Sequence, residues 1–275
     1  MNHGLDHRCS SSRVAVVGCG GTGSALAGGL PYIHQSLLAE GRPGLSVVFV
    51  DGDRISSTNC VRQPFSQSEI GLHKALVIAN RLNLFWGLKW HASTQHFTEK
   101  TTGKVDILIT CVDTRAARLA ISKSPAFKQA LYWLDIGNNA DNGQFVLGQP
   151  RNRRNQHTKY RLLTVAELYP EIINPRLDGT DTLPSCSSVE ALKRQEPFVN
   201  QVLANHALAL LARLFRHREV SYQGGFVNLA TGQMAPIPVT QCERKRKHAA
   251  RDSVSPARPG GRGRFPQVRS GERSA

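Results

Sequence analysis

An α/β fold built on a doubly wound, Rossmann-like, mostly parallel sheet is predicted by three features of the sequence. Short β-branched apolar runs recur at Arg13–Val17, Leu45–Val50, Val105–Cys111 and Leu131–Ile136. Stretches with helical spacing separate them. A glycine cluster, Gly18 to Gly23, sits where the first run gives way to the first helical stretch. Unbroken apolar runs mark strands buried on both faces, and their alternation with helices marks right-handed crossovers in a parallel sheet.

Taken in order, Arg13–Val17 is the first strand and Ala25–Leu38 the helix after the glycines. Leu45–Val50 is the second strand and ends in Asp51; Asp53–Gln67 is polar and loop-like. Leu72–Leu84 places Leu72, Leu76, Ile78, Ala79 and Leu82 on one helical face. Arg115–Ala130 is a helix interrupted at Pro125, and Gly143–Leu147 an antiparallel strand. Gln149–Ser188 has little periodicity, begins with the basic run Arg151-Asn152-Arg153-Arg154, and forms an irregular crossover segment of functional length. Ser188 is an N-cap for a long helix, Val189–Phe215, and Tyr222–Leu229 with Gln233–Val239 form a C-terminal β-hairpin. The expected organisation is an extension over 1–12, a core over 13–148, a crossover over 149–188, a helix and hairpin over 189–240, and a tail over 241–275.

Composition narrows the class. The chain has 275 residues, with 35 Lys and Arg against 20 Asp and Glu, a net of +15. The apolar fraction of 40% can bury a core, which excludes collagen-like, coiled-coil and wholly disordered chains. No apolar run reaches the roughly 18 residues that span a bilayer, and Met1–Ser12 is polar, so a soluble, cytoplasmic protein without membrane contact is expected. Cys9, Cys19, Cys60, Cys111, Cys186 and Cys242 show no CxxC pair, so no structural zinc is expected. From Glu243 on, ten Lys and Arg face three acids in a Pro, Gly, Ser and Arg-rich tail, a net of +7. Such a segment is expected to stay disordered and solvated, or to make weak contact with nucleic acid or an acidic partner.

The chemistry starts at Gly18-x-Gly20-x-x-Gly23, between a strand and a helix. Glycines there let the backbone approach a phosphate, and the helix N-terminus offers free N–H groups. Asp51, ending the second strand, suits ribose hydroxyls. Up to this point a nicotinamide dehydrogenase fits as well as an ATP enzyme. Arg62 and Lys74 then suit the outer phosphates of a triphosphate, and Asp113, ending the next strand, suits Mg²⁺. A dehydrogenase has no use for that set.

In this order the motifs resemble the ThiF/MoeB proteins, bacterial relatives of the ubiquitin-activating enzymes. Their GxGGxGS loop is matched by Gly18-Cys19-Gly20-Gly21-Thr22-Gly23-Ser24. Their DxDxVxxSNxxRQ block is matched by Asp51 to Gln63, with Thr58 where Ser is usual. Gly71 to Ala75 matches GxxKA, and Asp113-Thr114 matches a strand-end DN with Thr in place of Asn. Leu134–Asn138, Gly143–Gln149 and Pro184–Leu192 resemble the ThiF-like proteins of PRTRC plasmid cassettes, extending the likeness over residues 12–240.

The resemblance implies MgATP-dependent adenylation of a protein C-terminus, the Gly-Gly end of a small ubiquitin-like β-grasp protein. Gly18, Gly20, Gly21 and Gly23 would cradle the nucleotide. Asp51 would hold the ribose; Asp53, Asn59 and Gln63 belong to the same nucleotide block. Arg62 and Lys74 would act on the triphosphate with Asn59, and Asp113 would hold the Mg²⁺. Cys186, ending the irregular segment, is the candidate acceptor thiol, against a buried structural cysteine or an enzyme that stops at the adenylate. The resemblance also implies a homodimer, with an N-terminal arginine such as Arg8 or Arg13 available to a partner subunit. Cys19, Cys60 and Cys111 read as packing residues, and Asp113 has a helix N-cap as its structural alternative. Two rival readings remain: a non-catalytic nucleotide-binding adaptor of a plasmid-borne system, and an NAD-dependent oxidoreductase.

Overall fold

The computed structural model describes residues 11–158, 160–178, 196–239 and 241–242. Five parallel strands form one side of an eight-stranded sheet: β1 (Ser12–Val17), β2 (Leu45–Val50), β3 (His91–Ser93), β4 (Ile107–Thr110) and β5 (Tyr132–Asn138). Three antiparallel strands complete it: β6 (Asn142–Gly148), β8 (Tyr222–Asn228) and β9 (Gln233–Pro238). The order is β3-β2-β1-β4-β5-β6-β8-β9. A second, two-stranded ladder pairs β7 (Arg161–Leu162) with β10 (Gln241–Cys242), so the folded part reaches at least Cys242.

Alternation within the strands divides the core in two. Val14 and Val16 of β1, Ile107 and Ile109 of β4, and Tyr132, Leu134 and Ile136 of β5 point to one side. There they meet α1 (Gly21–Ala39), α3 (Lys74–Trp86) and the long helix Val199–His217. Ala15, Val17, Leu108 and Trp133 point to the other side. That face is covered by α4 (Arg115–Lys123), the single turn α5 (Val165–Leu168) and neighbouring 3₁₀ turns. β4 is buried along its whole length, and β1 and β2 are mostly buried apart from Arg13, Ser46 and Val48, which is why they read as largely apolar runs.

Helix boundaries follow local chemistry. α4 stops at Lys123 because Ser124 precedes Pro125 and takes an extended backbone, ψ 150°. Phe127–Gln129 resumes only as a 3₁₀ turn. The last long helix, here α6, starts at Val199, later than the expected Val189. Glu196–Phe198 are not helical, and Pro197 breaks the pattern there. The expected Ser188 cap and Val189–Gln195 lie outside the described residues. The expected polar loop after Asp51 contains one further helical turn, α2 (Asn59–Arg62). Among the described residues no helix is long and apolar enough to cross a membrane.

Candidate functional site

β1 turns toward β2 on one side and β4 on the other, and the chain leaves the C-terminal ends of these strands in opposite directions. A cleft of about 820 Å³ opens at this switch point, the size of a ligand site. Its walls come from the turn after β1, the segments after β2 and β4, the start of α3, and the β5–β6 end of the sheet.

The glycine turn is dictated by space. Gly18 has φ +88°, and a Cβ there would stand 2.6 Å from the Cys111 carbonyl oxygen. Gly23 does not line the cleft: a Cβ would come within 1.8 Å of the Gly18 carbonyl oxygen, so this glycine lets α1 dock on the turn. Gly20 and Gly21 do line it, and no side chain caps the start of α1. The first-turn N–H groups are therefore left for another acceptor.

Asp51 braces this turn. Its carboxylate accepts the Cys19 N–H at 2.6 Å and the Asp53 N–H at 2.8 Å. Burial raises its pKa; the two N–H groups and Lys74 offset that only in part. Cys19 is fully buried, and burial together with the nearby Asp51 pushes its thiol well up, which makes it a packing residue. Burial raises Cys111 in the same way. Cys60 is half-buried, its Sγ 3.4 Å from the Ser66 carbonyl oxygen.

Lys74 opens α3 with its side chain 9% exposed. Its Nζ donates to Asp53 Oδ2 at 2.9 Å, and its N–H donates to the Asp53 carbonyl at 3.1 Å. Asp53 thus aims Lys74 into the cleft. Asn59 is buried and its Oδ1 accepts the Ser56 N–H at 2.9 Å, which closes the loop carrying Arg62 and Gln63 to the cleft wall. Gln63 is buried, and its Oε1 has no hydrogen-bond partner among the described residues. A ligand donor would satisfy that atom.

Asp113 follows β4 and is exposed on the cleft. It is not the cap of α4. Thr114 fills that role, its Oγ1 accepting the Ala117 N–H at 3.2 Å. Asp178 accepts the N–H groups of Arg115 and Ala116 at 2.8 and 2.9 Å. With the helix start satisfied, the Asp113 carboxylate has no hydrogen-bond partner among the described residues. Those residues contain no group of three or more His, Cys, Asp or Glu that could hold a metal ion. A magnesium triphosphate asks for one or two carboxylates, because phosphate oxygens and water fill the remaining positions.

The structure also brings in residues that the sequence reading passed over. Arg118, on α4, is buried in the cleft floor, its Nε 3.1 and 3.2 Å from the two oxygens of the fully buried Asp135. Thr110 donates to Asp135 at 2.6 Å, and Trp133 Nε1 donates to Thr110 at 2.8 Å. Thr22 Oγ1 lies 2.8 Å from Asn200 Oδ1 and 3.1 Å from Asn138 Oδ1, which ties α1 to α6 and β5 at the cleft. Cys186 lies outside the described residues.

The switch-point cleft and the strand order define a Rossmann-like α/β protein. The chain belongs to the ThiF family, which it matches over residues 3–252. Among solved structures it is similar to E. coli MccB with MccA, at TM-score 0.57 and 15% identity over 84% of this chain and 64% of that one. It is similar to E. coli MccB with ATP at TM-score 0.53 and 16% identity, over 83% and 64%. PaaA gives TM-score 0.55 and 14% identity, also over 83% and 64%. The chain therefore spans about 64% of the length of each, and the likeness is one of fold. No curated protein sequence matches it.

Proposed function

We propose that this protein is an ATP-dependent adenylyltransferase acting on the C-terminal carboxylate of a peptide or protein, and that the substrate is a small ubiquitin-like β-grasp protein. The observation that carries the reading is the convergence of Lys74, Arg62 and the exposed Asp113 on one cleft with a glycine turn. In this reaction a carboxylate oxygen attacks the α-phosphorus of ATP and pyrophosphate leaves. The nucleophile is already an anion at neutral pH, so no general base is needed. What is needed is screening between anions, and Lys74 and Arg62 supply it on the phosphate side. Asp113 would hold Mg²⁺, which neutralises phosphate charge when bound. Asp51 would serve the ribose, Gly20 and Gly21 would give the phosphates bare backbone, and Gln63 Oε1 would accept from the nucleotide. The amides of Asn138, Asn139 and Gln144 along the far end of the cleft suit the backbone of an extended C-terminal tail.

Transfer from the adenylate to Cys186 is the second part of the proposal. The thiolate would attack the acyl carbon, form a thioester and release AMP. A homodimer and a conjugation cassette as the setting complete it. ATP–pyrophosphate exchange, with small β-grasp proteins added one at a time, tests the first step. Exchange that depends on one of them supports it. ATP binding without exchange points to the adaptor, and NAD binding in preference to ATP points to the oxidoreductase. A base-labile adduct lost in Cys186→Ala tests the second step.

A further inference from the structure

The pole of the sheet opposite the cleft carries a cluster of cations that the site does not use. Asp106, just before β4, is fully buried and sits among Arg13 and Arg154. Arg154 also donates to the carbonyls of Val105 at 3.1 Å and Gln129 at 2.8 Å. Asn152 donates to the Ala130 carbonyl, and Asn155 to those of Leu131 and Pro150. These bonds fasten the basic turn 150–158 to the segments that open β4 and β5. Arg154 reaches Val105 and Gln129, so the residues before these three in the chain, Arg153, Lys104 and Lys128, are carried by the segments that these bonds join. All three are exposed, and none is paired with an acid among the described residues. Asp106 needs only Arg13 and Arg154, so nothing in the fold calls for three further cations on this surface.

We infer that this pole is a docking surface for the phosphate backbone of duplex DNA, read without sequence preference. Charge complementarity argues for a polyanion, and the hydrogen-bonded turn fixes the backbone that carries Arg153 before any partner arrives. Single strands are bound largely by stacking on exposed aromatic rings. The exposed aromatics among the described residues are Tyr32, Phe85, Phe198 and Phe226, whereas Phe97, which lines a cavity with Lys104, and Phe127 are half-buried and Trp133 is buried. The patch lies at the N-terminal ends of β4 and β5 and the cleft at their C-terminal ends, so both can be occupied together.

The test is a fluorescence-anisotropy titration of the full chain against a labelled duplex of arbitrary sequence, across a salt series. It compares wild type with Lys104→Gln/Lys128→Gln/Arg153→Gln, after both are shown to unfold at the same denaturant concentration. The slope of log K against log salt is expected to shrink by about 3 in the triple variant, near 0.9 per lost phosphate contact. An unchanged slope overturns the inference, because the charges beyond residue 242 then carry the binding. Tighter binding of single strands, or equal binding of poly-glutamate with the same slope change, also overturns it.

Discussion

The Lys74 ammonium lies 2.9 Å from the Asp53 carboxylate, and the lysine is nearly buried while the aspartate is 56% exposed. With its partner on the exposed side, the buried Lys74 side chain stays aimed, yet open to a stronger anion that reaches it from the cleft. Lys74→Met is expected to lower kcat/KM for exchange about 100-fold, roughly 2.7 kcal/mol. Asp53→Asn keeps a hydrogen-bond acceptor and removes only the countercharge, so its loss should stay within about tenfold, some 1.4 kcal/mol. Equal losses would mean that Lys74 serves the Asp53 loop and not the nucleotide.

The glycines of the turn should separate by experiment into two classes. A Cβ on Gly20 would meet only Gln63 Nε2, at 3.9 Å, so Gly20→Ala should fold normally. Its methyl would stand where a phosphate approaches, and ATP affinity should fall tenfold or more, about 1.4 kcal/mol. Gly23→Ala should instead lose about 3 kcal/mol of stability, because the methyl collides with the Gly18 carbonyl. Calorimetric titration and denaturant unfolding of both variants check this.

Asp106 gives the fold a defined acid sensitivity. Burial raises its pKa, but hydrogen bonds from Arg13 and Arg154 more than offset that and bring it to about 2, against 3.8 for the free group. The resulting stabilisation, about 2 kcal/mol, is complete above pH 4 and fades as pH falls toward 2. Asp106→Asn should therefore cost about 2 kcal/mol at pH 7 and about half of that at pH 3. Urea midpoints at the two values measure the narrowing gap.

Much of this was legible because burial on both sheet faces writes itself as apolar runs, and β2, Leu45–Val50, shows it with no boundary error. β3 was not, because His91-Ala-Ser is three residues on a sheet edge and carries no pattern. The motifs from Gly18 to Asp113 follow in order along the chain, and of the nucleotide and metal candidates in them all but Gly23 line one cavity. Arg118 was not legible because an arginine on a short helix reads as solvent-exposed, and its partner Asp135 lies on β5, 17 residues away. Gln149–Ser188 read as featureless, yet Thr164 and Glu167 in it form a capping box that starts α5. The Thr-x-x-Glu spacing was available to find it. The displaced start of α6 had its signal too, in Pro197.

Asp113 is the residue on which adenylation in this cleft turns, and its role can be read from one comparison. Its carboxylate is exposed and Thr114 caps the helix beside it, so Asp113→Ala should unfold at the wild-type denaturant concentration. Pyrophosphate exchange into ATP, measured with Mg²⁺ and the stimulating β-grasp protein, should then fall at least 100-fold, about 2.7 kcal/mol. Wild-type exchange in an equally stable Asp113→Ala protein would contradict the account.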